Sequence, residues 1–190
     1  MGKMPNMLKR HKQLKFTGKG LEKPKMAFGG HSFKTHAKSK RPMSSKLPIH
    51  LVMRTDGKKF SMRKPRAFRL VDQIVYRTAE KYRVKIYEFA NVGNHLHMVI
   101  KLPHMREWAK FIRELSGRIA QEMQDLKGPE KGEKFWIFKP FTRVVASWGK
   151  AYRDCCDYVI LNRLEGEGHI RRADTKRLSE LSELFGWRVT

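Results

Sequence analysis

Residues 94–101 read Asn94-His95-Leu96-His97-Met98-Val99-Ile100-Lys101. In an extended chain, successive side chains project to opposite faces. Leu96, Met98 and Ile100 therefore share a face that must be covered, while His95, His97 and Val99 share the other. Gly93-Asn94 leads into this strand, which is expected over 95–102. The stretch before it, VKIYEFANV at 84–92, is β-branched and aromatic enough to be a second strand, though its alternation is imperfect.

Working outward, Ile49, Leu51 and Met53 alternate with His50, Val52 and Arg54, which predicts a strand with one buried face. Asp56-Gly57 supplies a turn. Residues 65–82 place Phe68, Val71, Ile74, Val75 and Ala79 at helical spacing, and residues 106–125 do the same with Trp108, Phe111, Ile112, Leu115, Ile119 and Met123. A Gly/Lys loop follows at 127–134. The aromatic and β-branched segment 135–146 is interrupted by Pro140, so it is a bent or edge strand. Residues 148–163 and 174–185 read as helices. The order β-α-β-β-α-β followed by helices predicts an α+β fold, a ferredoxin-like antiparallel sheet with two helices on one face and the other face free.

The 190 residues contain 42 Lys plus Arg against 18 Asp plus Glu, a net charge of +24. That excess calls for a polyanionic partner, nucleic acid before membrane surface. Residues 1–46 hold 13 of the basic residues and one acid, Glu22, in a Lys-, Gly-, Ser- and Pro-rich context; they read as a flexible basic arm. The remainder is basic on its own account. No run reaches the roughly 20 apolar residues of a membrane span, and no apolar secretory core follows the N-terminus, so a cytoplasmic, nucleoid-associated protein is expected. Cys155 and Cys156 are adjacent and make neither a disulfide framework nor a CxxC site.

On the helix YRDCCDYVILNR, with Tyr152 at the centre of the apolar stripe, Cys155, Cys156 and Val159 fall within about 60° and Tyr158 about 120° away. Asp154 and Asn162 lie one turn to either side of Tyr158. Two imidazoles at i and i+2 on one strand face can chelate a divalent ion, and a phenol can attack a DNA phosphodiester to give a covalent phosphotyrosine. The plain readings are polar residues on a half-exposed strand and an amphipathic surface tyrosine.

Order and spacing together resemble the single-tyrosine HUH transposases, and within them the REP-associated tyrosine transposases. That family carries an Asn-His-hydrophobic-His run, here Asn94 to His97. Its tyrosine helix is similar to Tyr158-Val159-Ile160-Leu161-Asn162-Arg163, and its first strand looks like IHLVMRT at 49–55. The resemblance covers about residues 47–168 and leaves 169–190 as a C-terminal helical extension. It implies His95, His97 and Asn162 as ligands of Mg²⁺ or Mn²⁺, and Tyr158 as the nucleophile. It also implies cleavage and rejoining of single-stranded DNA at hairpin-forming repeats. Two departures stand out: Gly93 where the family usually has Pro, and Arg163 where Pro usually follows the helical Asn.

Lys139, Arg143 and Lys150 flank the site in sequence and are candidate phosphate contacts. His50 shares the open face with the two histidines, as a structural residue, an extra ligand or a DNA contact. The second functional reading is a domesticated, non-catalytic DNA- or RNA-binding module, which explains the charge but not the His/His/Tyr/Asn constellation. Whether the chain acts as a monomer or a homodimer does not follow from the sequence.

Overall fold

The computed structural model describes residues 27–29, 41–55, 60–126 and 134–171. Its elements in chain order are β1 (Ala27–Phe28), β2 (Ile49–Arg54), α1 (Pro65–Lys81), β3 (Lys85–Asn91), β4 (His95–Lys101), α2 (Glu107–Asp125), β5 (Phe141–Val144) and α3 (Lys150–Gly166). The helix expected at 174–185, the Asp56-Gly57 turn and most of the N-terminal arm lie outside the described residues.

All strand pairs are antiparallel, in the order β1-β5-β2-β4-β3. The central pair, β2 with β4, aligns Leu51 with Met98 and Met53 with Leu96 on facing positions. These apolar residues are fully buried beneath α1 and α2. Helix α1 turns Val71, Ile74, Val75 and Ala79 inward, and α2 turns Phe111, Leu115, Ile119 and Met123 inward. The helical spacing in the sequence marks these same residues.

The other face is not wholly free. Helix α3 crosses it over β3 and β4, where Cys155 and Val159 bury against Ala90, Val99 and Val145. The reason is visible in β4: Val99 continues the histidine face but is apolar and needs a cover. The β2–β5 half of that face stays open. Part of the expected arm joins the sheet, since β1 adds to the edge of β5 with Phe28 buried under the Arg41 guanidinium, 4.4 Å above its ring. The Pro140 break also matters: the strand expected over 135–146 shortens to β5, and residues 135–140 instead run along the end of β2, with Trp136 bridging to Thr55.

The β3–β4 turn is pinned from three sides. Gly93 N–H donates to Asn91 Oδ1 at 3.0 Å, Asn91 Nδ2 donates to Met62 O at 3.0 Å, and Met62 N–H donates to Gly93 O at 2.8 Å. Gly93 has φ +96°, and a Cβ there would sit 2.8 Å from Ser61 Oγ. Proline, with φ fixed near −65°, cannot make this turn, whereas glycine adopts its positive φ without a Cβ clash. Gly93→Ala should lower unfolding free energy by roughly 1–2 kcal/mol through its left-handed φ. Gly93→Pro should cost more, because it also removes the N–H to Asn91. Urea unfolding of the two variants beside wild type checks the order.

Candidate active site

A cavity of about 330 Å³ opens on the uncovered half of the sheet. Its floor is His50, Val52 and Arg54 of β2 with His95 and His97 of β4; Tyr158 of α3 forms one wall, and Phe138 with Lys139 another. The alternation of β2 and β4 puts the floor together. Register pairs Arg54 with His95 and Val52 with His97, so alternate residues of both strands point into one space.

The three imidazoles touch. The rings of His95 and His97 lie 4.7 Å apart between centroids, and those of His50 and His97 lie 5.6 Å apart. His95 Nδ1 donates to Asn94 Oδ1 at 2.5 Å, and His50 Nε2 is 3.3 Å from His97 Nδ1. His50 and His97 are buried, and burial reinforced by the positive Arg143 lowers the His50 pKa to about 4. His50 is therefore neutral at pH 7.

The two tyrosines of α3 part company. Tyr158 is 38% exposed and sets its ring edge against His50 and His97, at 5.7 and 5.6 Å between centroids. Tyr152 packs at 5.5 Å against Tyr87 and 5.3 Å against Trp148, and burial pushes its phenol pKa up. Only Tyr158 lines the cavity. Asn162 lies one turn further along α3, buried, with Nδ2 donating to the Tyr158 carbonyl at 2.6 Å, and it does not line the cavity.

Of the three expected phosphate contacts, Lys139 faces the cavity. Arg143 is exposed on β5 opposite His50. Lys150 sits at the start of α3, engaged with both carboxylate oxygens of Asp154 at 2.8 Å and away from the cavity. Sequence reasoning did not single out Arg54, although its place in the 50, 52, 54 alternation was the available signal. Phe138 and Phe141 carried no comparable signal. With Arg54 and Lys139 and no carboxylate among the described lining residues, the cavity suits an anion.

A sequence profile described as Transposase IS200 like matches residues 43–153, more than half of the chain. The chain belongs to the IS200-like transposase family. The matched stretch contains His95 and His97 and ends five residues before Tyr158. Among solved structures, a REP-associated tyrosine transposase bound to a REP hairpin superposes with a TM-score of 0.54 at 13% identity, covering 68% of this chain and 74% of that one. A candidate transposase from Deinococcus radiodurans gives a TM-score of 0.43 at 17% identity, over 67% of this chain and 98% of that one. No curated protein sequence matches the chain. Among the described residues, no helix is long and apolar enough to cross a membrane.

The buried neutral His50 makes this family member acid-sensitive in a defined window. Its pKa falls from 6.5 to about 4 on folding, so the unfolded chain takes up the proton first. The contribution is complete above pH 6.5 and is lost as pH falls toward 4, on the order of 2–3 kcal/mol. In metal-free protein, His50→Gln should flatten the stability profile between those two pH values. Chemical denaturation across the range measures it.

Proposed function

We propose that the cavity cleaves and rejoins single-stranded DNA, with Tyr158 as nucleophile and a divalent ion beside it. The observation that carries this reading is the Tyr158 ring set against His97 and His50 in a cavity lined by Arg54 and Lys139. The phenol oxygen forms a bond to phosphorus as the bond from phosphorus to the departing strand's oxygen breaks. The phenol proton leaves with solvent or the departing oxygen, and attack by a strand hydroxyl reverses the step. Two near-isoenergetic phosphodiester exchanges result, which is what joining requires.

The donor set fits a divalent ion. Because an amide oxygen can only accept, His95 carries a proton on Nδ1, and in the neutral ring that leaves the lone pair on Nε2. Among the described residues, no group of three or more His, Cys, Asp or Glu is arranged to hold a metal ion, so the proposed site rests on two imidazoles. A two-imidazole site of this kind leaves coordination positions for phosphate oxygens, and imidazole favours Mn²⁺ over Mg²⁺. When bound, the ion supplies Lewis-acid polarisation of the scissile phosphate. His95 and His97 are the proposed ligands. Asn162, the third ligand expected from the family resemblance, here holds the backbone of Tyr158, and its amide would have to turn toward the cavity to contribute.

Arg54 and Lys139 are the proposed phosphate clamps at the cavity, with Arg143 beside them, and Lys150 would meet the backbone further out. The partner is proposed to be single-stranded or hairpin DNA; the solved REP-associated transposase holds a REP hairpin. The +24 charge supplies the long-range attraction.

Phenylalanine at 158 keeps the ring contacts and removes the oxygen. Tyr158→Phe should bind hairpin-bearing single strands as wild type does, yet form no denaturant-resistant protein–DNA adduct with Mn²⁺ present. Tyr152→Phe should keep the adduct. An adduct in Tyr158→Phe refutes the nucleophile. Wild type that binds hairpins but never becomes linked, across a panel of hairpin-bearing single strands, favours the non-catalytic binding module. His97→Ala should lose Mn²⁺ binding measured by calorimetry with DNA present.

A further inference from the structure

The histidine pair is held from behind by two different groups, Asn94 and His50. His95 Nδ1 donates to Asn94 Oδ1, which fixes its tautomer. His97 Nδ1 meets His50 Nε2 at 3.3 Å, the rings are inclined by only 13°, and their centroids are 5.6 Å apart. That separation is about the N···N distance plus one ring radius from each imidazole. The rings therefore lie edge to edge, nearly coplanar, with the two nitrogens aimed at one another along a near-linear hydrogen bond.

This geometry excludes one role for His50. Two imidazole nitrogens facing each other across an ion, with metal–nitrogen bonds of about 2.1 Å, would stand roughly 4 Å apart. At 3.3 Å there is room for a proton and not for a metal. His50 and His97 are not co-ligands through these atoms.

We infer that His50 is a positioning residue: it accepts the Nδ1–H of His97, so that His97, like His95, turns the lone pair of Nε2 toward the ion. The inference rests on the metal-dependent reading above and adds residues to it, with Asn94 doing for His95 what His50 does for His97. The two positioning groups come from different elements, the pinned β3–β4 turn and the central strand β2. The backbone of Asn94 is itself fixed, since its main-chain carbonyl accepts from Thr55 N–H at 2.8 Å and Thr55 Oγ1 at 3.1 Å. His50 is fixed by burial and by the edges of the Phe141 and Tyr158 rings. A ligating histidine whose second nitrogen donates to such an acceptor keeps one tautomer and one ring orientation, and losing the acceptor costs about 10–100-fold in metal affinity.

The opposite proton placement, His50 Nε2–H donating to His97 Nδ1, would put the His97 proton on Nε2, where no ion could bind. Long-range ¹H–¹⁵N correlation spectra of the full-length, metal-free protein at about pH 8, where imidazoles are neutral, distinguish the two. His95 and His97 are both expected as Nδ1–H tautomers in wild type. His50→Leu keeps a buried side chain of similar bulk but no acceptor. In that variant His97 alone should become a tautomer mixture, while His95 keeps its pattern, and Mn²⁺ affinity by calorimetry should fall 10–100-fold. His50→Gln, which returns an acceptor oxygen, should restore both. An Nε2–H tautomer of His97 in wild type overturns the inference, as does a His97 tautomer unchanged in His50→Leu. Because the wild-type spectrum needs neither metal nor DNA, it is read the same way whether or not Tyr158 proves to be the nucleophile.

Discussion

The register of β2 against β4 is the constraint on which everything else hangs. Leu51 faces Met98 and Met53 faces Leu96, and these contacts close the core under α1 and α2. The intervening positions are then forced to the other side: His50, Val52 and Arg54 from one strand, His95 and His97 from the other. A slip of one residue would carry the imidazoles into the apolar layer and the leucines out. Burying neutral polar rings without partners costs several kcal/mol, so the hydrophobic core and the histidine cluster select the same register. Stability and site assembly are one choice.

That coupling accounts for what the sequence made legible. The strands and helices that contact the core carry periodic apolar residues, and their limits in the structure fall within a residue or two of the periodicity for α1, β3, β4 and α2. Both histidines and their shared face follow from alternation alone. Tyr158 follows from its angle to the stripe of Cys155 and Val159, both of which bury. The elements that read poorly are those placed by contacts from distant sequence. Nothing local in Ala27-Phe28 announces an edge strand; its partner is β5, more than a hundred residues away. Phe138 and Lys139 reach the cavity because Pro140 ends the strand and lets the preceding segment follow β2, where Ile137 N–H donates to Arg54 O at 3.2 Å.

The two departures from the family pattern have separate physical readings. Gly93 belongs to a left-handed turn that a proline would forbid, and the hydrogen bonds around it bring Asn94 to His95. Arg163 lets α3 run on past Asn162 to Gly166, where proline would have interrupted the ladder. The added turn sets Arg163 Nη1 3.9 Å from Glu88 and buries Leu164 beside Ile160. Neither position lines the cavity, so neither change removes a group from it.

Placement of α3 sets the division of labour on the sheet. A helix over the whole second face would bury the histidines and seal them off; no helix there would leave Val99 and Ala90 in water and Tyr158 without a support. The sheet avoids both by grading its composition across the strands, apolar at Ala90 and Val99 and polar at His97, His95 and Arg54. Cys155 and Val159 follow the apolar half, which fixes the rotation of α3 about its axis. Tyr158, one residue before Val159 and so about 100° round the helix, is thereby delivered to the edge of the covered zone, against His97 and partly open to solvent. That edge position meets both demands of the role proposed for Tyr158: its ring is held by packing against His97, and its side chain stays open to an incoming strand.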